Sequence, residues 1–72
     1  MLYGYIITRG KKAVTIQTKE GSQYYAPLED IAPHVLKDIC NVVCFEVDKT
    51  RYEGKTHAGP RYYAYNVDYI TF

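Results

Sequence analysis

The sequence predicts an all-β fold, a small barrel of five strands with a short helical segment between the third and fourth strands. Segments of alternating, β-branched or aromatic composition recur along the chain, and glycine, proline or charged residues separate them. One stretch with helical spacing interrupts this series. At 72 residues the chain has room for one small core, so we expect residues 1–72 to form a single domain.

The first part of the chain contains three predicted strands, and each turn between them contains a glycine. Period-two alternation in the second strand puts Val14 and Ile16 on one face and Thr15 on the other. Pro27 ends the third strand, because proline cannot donate to a sheet ladder. The three predicted strands are residues 3–8, 13–18 and 23–26.

The second part of the chain predicts the helical segment and two further strands. Apolar residues alternate along the fourth strand, with Phe45 at its centre. Residues 49–60 have no apolar period and predict a long mobile loop. In the fifth strand the odd positions from Tyr63 to Tyr69 are expected to share one face, and a bulge is expected in a strand of this length. The predicted elements are a helical turn at 28–31, a short helix at 33–39, and strands at 42–48 and 61–72.

This order of elements is typical of the OB-fold, a five-stranded Greek-key barrel. An SH3-like barrel is the competing architecture. In its commonest form the helical turn precedes the last strand, whereas here the helical segment follows the third. The order therefore favours the OB-fold.

Charge is distributed unevenly along a chain whose formal net charge is only +1. Seven of the nine basic residues fall in two stretches, 9–12 and 48–61, that comprise two predicted loops and the strand ends beside them; the stretches contain two acids, a balance of +5, and the remaining residues carry −4. In an OB barrel the loop between strands 1 and 2 and the loop between strands 4 and 5 flank one face. The charge distribution therefore predicts a basic rim suited to phosphate backbones or an acidic partner. The seven residues are Arg9, Lys11, Lys12, Lys49, Arg51, Lys55 and Arg61.

Other features of the sequence argue against several functional classes. The chain has no secretory signal and no apolar run of bilayer length, so we expect a cytoplasmic protein with no membrane partner. Cys40 and Cys44 are expected to be reduced thiols, since their spacing, with two scattered histidines, is a poor match to a zinc site. His34 and His57 lack a motif that supplies a nucleophile, a metal or a phosphate-binding glycine loop. We therefore predict no metal, no cofactor and no enzymatic activity.

Several segments resemble the cold-shock domain family, whose members have the OB-fold. The Gly-Tyr-Ile at 4–6 looks like the family's opening, and the Val-Cys-Phe-Glu-Val at 43–47 resembles its fourth strand. The Ala-Tyr-Asn-Val at 64–67 resembles its close, and residues 21–31 align with its third-strand motif and the turn that follows. The resemblance covers residues 3–67 and implies a domain that binds single-stranded nucleic acid.

The positions that stack on bases in this family are mostly changed in the present sequence. Val14 and Ile16 stand where the family has two aromatic residues on its second strand, and Tyr25 keeps an aromatic side chain at a stacking position. On this alignment Val14 and Ile16 are expected to be exposed. Exposed aliphatic side chains mark protein interfaces more often than nucleic-acid sites.

Together these observations predict a protein that binds single-stranded RNA or DNA with low sequence specificity. Tyr25, Tyr52 and Tyr5 would stack on bases, with Tyr63 as a further member of a displaced stacking surface, and the basic residues would contact phosphates. The alternative is a protein-interaction module that has lost nucleic-acid binding, either a regulator or inhibitor docking on a larger protein or a homodimer. The predicted binding residues are Arg9, Lys11, Lys12, Tyr25, Lys49, Arg51, Tyr52, Lys55 and Arg61.

Overall fold

The structure is a computed structural model that describes residues 1–37 and 42–70. Within these residues the chain forms five β-strands and two three-residue 3-10 turns, and no helix is long and apolar enough to cross a membrane. The 3-10 turns are Leu28–Asp30 and Val35–Lys37. The strands are β1 (Leu2–Arg9), β2 (Ala13–Gln17), β3 (Gln23–Pro27), β4 (Val42–Thr56) and β5 (Gly59–Tyr69).

The strands close into a barrel in the order β1-β2-β3-β5-β4, and β4 then pairs with β1. Neighbouring strands are antiparallel except β3 and β5, which run parallel with Tyr25 opposite Tyr63. Ile31 adds a parallel bridge to Val67 after β3. This is the strand order of the OB-fold, and it confirms the predicted fold class.

The helical segment lies between β3 and β4 as predicted, but within the described residues it is two 3-10 turns, and the second begins at Val35 rather than at 33. The backbone N–H of Ala32 donates to the Val67 carbonyl at 3.0 Å, which holds the chain extended against β5 between the two turns. A bond of 2.9 Å from the Val35 N–H to the Ala32 carbonyl then leads into the second turn. Residues 38 and 39 of the predicted helix, Cys40, and the end of the predicted fifth strand at 71–72 lie outside the described residues.

One apolar cluster fills the barrel, with Phe45 fully buried near Tyr24, whose ring centroid is 5.2 Å away. The predicted alternation of β4 is confirmed, because Val43 and Phe45 are both buried. β1 and β2 approach closely at Gly4, where an added Cβ would lie 2.7 Å from the Gln17 carbonyl oxygen. The buried apolar residues are Ile6, Val14, Ile16, Ala26, Ile31, Val35, Val43, Phe45, Ala64 and Val67.

The expectation that Val14 and Ile16 are exposed is wrong. Their side chains face the core and are 1% and 0% exposed, respectively. A shift of one residue turns every side chain of a strand to the opposite face. The core therefore determines which face of β2 points inward, and the family alignment does not. The side chains of Ala13 and Gln17 lie instead on the outer face of β2, half-buried.

The expectation of a mobile loop at 49–60 is also wrong, because β4 and β5 continue through this stretch as a two-stranded arm. Lys55 pairs with Pro60 and Thr56 with Gly59 near the tip. The Thr56 hydroxyl donates to the Gly59 carbonyl at 3.1 Å and accepts the Ala58 N–H at 3.2 Å, which closes the turn. No apolar period marks this arm because most of its residues are exposed.

The predicted bulge in β5 is present at Asn66, which has a φ of 52° and lies where the pairing with β4 changes register. Asparagine tolerates this left-handed conformation better than most residues. The bulge changes which positions face inward, so Val67 is buried while Tyr65 is exposed. The expectation that all odd positions from Tyr63 to Tyr69 share one face is therefore wrong.

Candidate functional site

Two tyrosines form an aromatic pair on the outer surface where β3 meets β5. Tyr25 and Tyr63 are directly opposite in the parallel register, so their side chains lie on the same face. Their ring centroids are 4.9 Å apart and the ring planes are tilted by 54°. Both side chains are half-buried, which leaves part of each ring open to a ligand.

Two arginines from the arm lie over these rings. The guanidinium carbon of Arg51 is 4.0 Å from the centroid of Tyr63, and that of Arg61 is 5.3 Å from the centroid of Tyr25. Arg61 is also bonded on both sides: its Nε donates to the Glu53 carbonyl at 2.8 Å, and its Nη1 donates to the Thr15 hydroxyl at 3.0 Å. Arg61 therefore links the arm to β2 across the aromatic pair.

The Tyr63 ring is oriented by an acid from the arm. The Tyr63 hydroxyl donates to the Glu53 carboxylate at 3.0 Å. This hydrogen bond, more than burial or the charge of Glu53, raises the pKa of Tyr63 above its ordinary value, and Arg51 opposes the effect. Tyr63 therefore remains a neutral hydrogen-bond donor at physiological pH.

The start of the arm is fixed just before Arg51. The Asp48 carboxylate accepts the Thr50 hydroxyl at 2.5 Å and the Thr50 N–H at 2.9 Å. These bonds, the hydroxyl first, lower the pKa of Asp48. They lie where β4 gains extra residues relative to β5, and so they shape the bulge from which Arg51 reaches Tyr63.

An open groove of about 510 Å³ lies beside the tyrosine pair. Lys11 and Lys12 enter it from the β1–β2 turn and Arg51 enters it from the arm, while Glu29 is the acid among its described lining residues. The Leu28 N–H donates to the Lys12 carbonyl at 3.0 Å, which ties the β1–β2 turn to the first 3-10 turn. The groove thus combines an excess of positive charge with two half-buried aromatic rings. Its remaining lining residues are Tyr25, Pro27, Leu28 and Tyr63.

The structure brings five of the nine predicted binding residues together at this groove. Four of the five line it, and Arg61 covers Tyr25. Arg9 lies elsewhere, since its Nη1 donates to the Leu36 carbonyl at 2.6 Å. The remaining three, Lys49, Tyr52 and Lys55, belong to the arm but do not line the described groove. The four lining residues are Lys11, Lys12, Tyr25 and Arg51.

The sequence could have identified Tyr63 more firmly than it did. Parallel pairing of the third and fifth strands is part of the OB order, and it puts the tyrosine near the start of the fifth strand beside Tyr25. Nothing in the sequence indicated that Thr15 and Glu53 contribute to this site. Thr15 bonds Arg61 from 46 positions away in the chain, and only the closed barrel makes that contact.

A second polar cluster, outside the groove, ties the segment after β3 to β5. The His34 Nε2 lies 2.6 Å from an Asp68 carboxylate oxygen, and the same oxygen accepts the Tyr69 N–H at 2.7 Å. The Tyr69 N–H first, and then His34, lower the pKa of Asp68. All three residues contact one another, since the His34 and Tyr69 rings are 5.4 Å apart.

Among residues 1–37 and 42–70, no group of three or more His, Cys, Asp and Glu side chains is arranged to hold a metal ion. Comparison of the chain with known proteins gives no family model, no curated protein and no solved structure that matches it. The fold and the geometry of the groove are therefore the observations on which its function must be argued.

Proposed function

We propose that this protein binds single-stranded nucleic acid along the groove beside Tyr25 and Tyr63. The observation that carries the proposal is the arrangement of Lys11, Lys12 and Arg51 around this aromatic pair. Cationic side chains attract the phosphate backbone, and aromatic rings stack on unpaired bases at about 1–3 kcal/mol per base. Together they give affinity without requiring a particular base sequence.

Arg51 has a specific role in this proposal. Its guanidinium already lies over Tyr63, so it can present a flat stacking surface to a base while its charge neutralises a phosphate. Arg61 is held by Thr15 and by the arm backbone, and so it supports Tyr25 rather than reaching toward the ligand. Lysines grip phosphates as point charges, which suits low sequence specificity.

We also propose that this protein is related to cold-shock domains and that its stacking surface lies at a different place on the barrel. The outer face of β2 carries no aromatic side chain, and the aromatic surface lies instead where β3 meets β5. The segments resembling that family are consistent with such a divergent domain, and RNA or DNA in the cytoplasm would be its ligand.

Fluorescence anisotropy with a labelled single-stranded oligonucleotide of about 8 nucleotides at low salt tests the proposal. The Tyr25→Leu substitution keeps an apolar side chain but removes the ring, and we expect it to weaken binding by roughly 5- to 150-fold, as loss of one stacked base predicts. The Tyr3→Leu substitution is the matched control, because Tyr3 is exposed on β1 outside the groove lining. Circular dichroism spectra of both variants would check that they fold. The proposal fails if the unmodified protein does not bind.

A second candidate function is protein binding or self-association through the outer face of β1 and β4. Tyr3, Tyr5, Ile7 and Val42 are each between 43% and 54% exposed there. Exposed aromatic and aliphatic side chains grouped on one surface favour a protein interface. This surface replaces Val14 and Ile16 as the basis of that alternative. Sedimentation and a nuclease-treated pull-down test it: a monomer that retains no nuclease-resistant partner would exclude it.

A further inference from the structure

The arm has a second face, opposite the groove beside Tyr25 and Tyr63. Adjacent residues of a strand point to opposite sides, so Tyr62 faces away from the side on which Tyr63 meets Arg51. Within the described part of the chain, β4 beyond Asp48 pairs only with β5. The arm is thus a two-stranded ribbon whose two faces are both accessible.

A second groove, of about 280 Å³, lies on the Tyr62 side of the arm. Its lining includes Tyr24, Lys49, Pro60 and Tyr62, together with uncharged polar side chains where the β2–β3 turn meets β3 and at the end of β4. None of its described lining residues is acidic, whereas the first groove contains Glu29. An anionic ligand therefore meets attraction here without a compensating negative charge.

The strand register places further residues on the same face. Tyr52 lies opposite Tyr62, and Lys55 lies opposite Pro60. Residues directly opposite each other in an antiparallel pair have their side chains on one side of the sheet. Tyr52 is 55% exposed, so its side chain is accessible to a ligand. Lys49, Tyr52 and Lys55, which do not line the first groove, therefore share this second face.

We propose that the Tyr62 face of the arm is a second binding surface for the same single strand, which crosses the arm and contacts both faces. This inference rests on the proposed function. The second face repeats the two elements of the first, since Lys49 and Lys55 can contact phosphates while Tyr52 and Tyr62 offer rings to bases. The occupant is a nucleic-acid strand because the face joins positive charge to aromatic rings and lacks described acids.

The geometry of the ribbon allows one strand to reach both faces. Paired strands lie about 4.8 Å apart, so the arm is narrow, and an unpaired nucleic acid is flexible enough to fold over it. A short oligonucleotide would occupy the first groove alone. A longer one would extend onto the second face, within the range of about 4–16 nucleotides that single OB domains cover. The second face should therefore contribute to affinity only above a threshold length.

Anisotropy titrations with oligothymidylates of about 4 and about 12 nucleotides test this inference. The Lys49→Gln/Lys55→Gln double variant should bind the longer oligonucleotide roughly 10-fold more weakly, because two phosphate contacts are lost, and should bind the shorter one normally. A Tyr52→Ala variant should show the same dependence on length. The Lys19→Gln/Lys37→Gln double variant is the matched control, because it makes the same change in net charge outside both described groove linings.

The outcomes separate this inference from the proposed function. If the unmodified protein binds both oligonucleotides but the Lys49→Gln/Lys55→Gln variant loses no affinity for the longer one, the second face is not a nucleic-acid surface. The same conclusion follows if both oligonucleotides weaken equally, or if the control variant loses as much affinity. If the unmodified protein binds neither oligonucleotide, the proposed function fails, and the second surface fails with it.

Discussion

The dependence of binding on salt gives the sharpest test of the first groove. Among the described lining residues, Lys11, Lys12 and Arg51 are cationic, so three phosphates can be neutralised there. Each neutralised phosphate of a single strand contributes about −0.7 to the slope of log affinity against log salt, so the expected slope is about −2.1. Raising salt from about 50 to about 200 mM should then weaken binding roughly 18-fold.

The Lys11→Gln/Lys12→Gln double variant should reduce that slope to about −0.7, because Arg51 alone would remain among the groove cations. The same change in salt should then weaken binding only about 2.6-fold. Both lysines are exposed, so we expect the variant to fold normally. Anisotropy with an oligonucleotide of about 4 nucleotides confines the measurement to the first groove.

The Lys19→Gln/Lys37→Gln double variant makes this experiment specific. It lowers the net charge by the same amount, and its two positions are exposed and outside the groove lining. We expect it to keep a slope near −2.1. Equal slopes for the two double variants would mean that net charge, not the groove, governs binding, and the reasoning would be refuted.

Three further predictions concern the fold and its ionisable groups. The Gly4→Ala substitution should lower the free energy of unfolding by about 1–3 kcal/mol in urea denaturation, because the new Cβ would meet the Gln17 carbonyl at 2.7 Å; an unchanged midpoint would contradict this packing. Carbon-13 NMR titration should show the pKa of Tyr63 above its ordinary value of 10.0, and Glu53→Gln should shift it downward; no shift would rule out the hydrogen bond. The lowered pKa of Asp68 stabilises the fold above the ordinary carboxyl value of 3.8 and ceases to do so as pH falls through the folded-state value. The melting temperature of Asp68→Asn should therefore approach that of the unmodified protein in acid, and a constant difference across this range would contradict the assignment.

The parts of the fold that face the core were predictable from the sequence. The alternation around Phe45 gave the correct inner face of β4, because a buried face imposes a period of two on a strand. The same rule applied to β2 indicates that Val14 and Ile16 point to one side, and the core identifies that side as the interior. The alignment with cold-shock domains instead predicted that these two side chains face outward. That prediction was wrong because an alignment carries no direct information about which way a side chain points.

The arm could not be predicted by the same rule. Residues such as Lys49, Arg51 and Lys55 are exposed, so no apolar period distinguishes this extended ribbon from a loop. Its pairing depends on the register between β4 and β5 and on the closing turn near Thr56. The positive charge of the arm was nevertheless predictable, because its basic residues cluster in the sequence itself.

The candidate site likewise contains residues that the sequence could identify and residues that it could not. Lys11, Lys12 and Tyr25 could be assigned because turns and strand ends are recognisable locally, and the OB order predicts that they lie near the last hairpin. The division of the arm residues between its two faces was not predictable. It depends on irregular pairing between Asp48 and Lys55, where the register shifts twice.

The contact between Tyr25 and Tyr63 also bears on when this protein acquires its site. The hairpins β1–β2 and β4–β5 join neighbouring segments, whereas β3 and β5 must meet across a long intervening stretch of chain. Contacts between distant segments carry a larger loop-closure cost and tend to form later in folding. We therefore expect the seam between β3 and β5 to be among the last parts of the barrel to form. A chain still emerging or incompletely folded would have its hairpins but no paired tyrosines, so the proposed nucleic-acid binding would begin only when the barrel has closed.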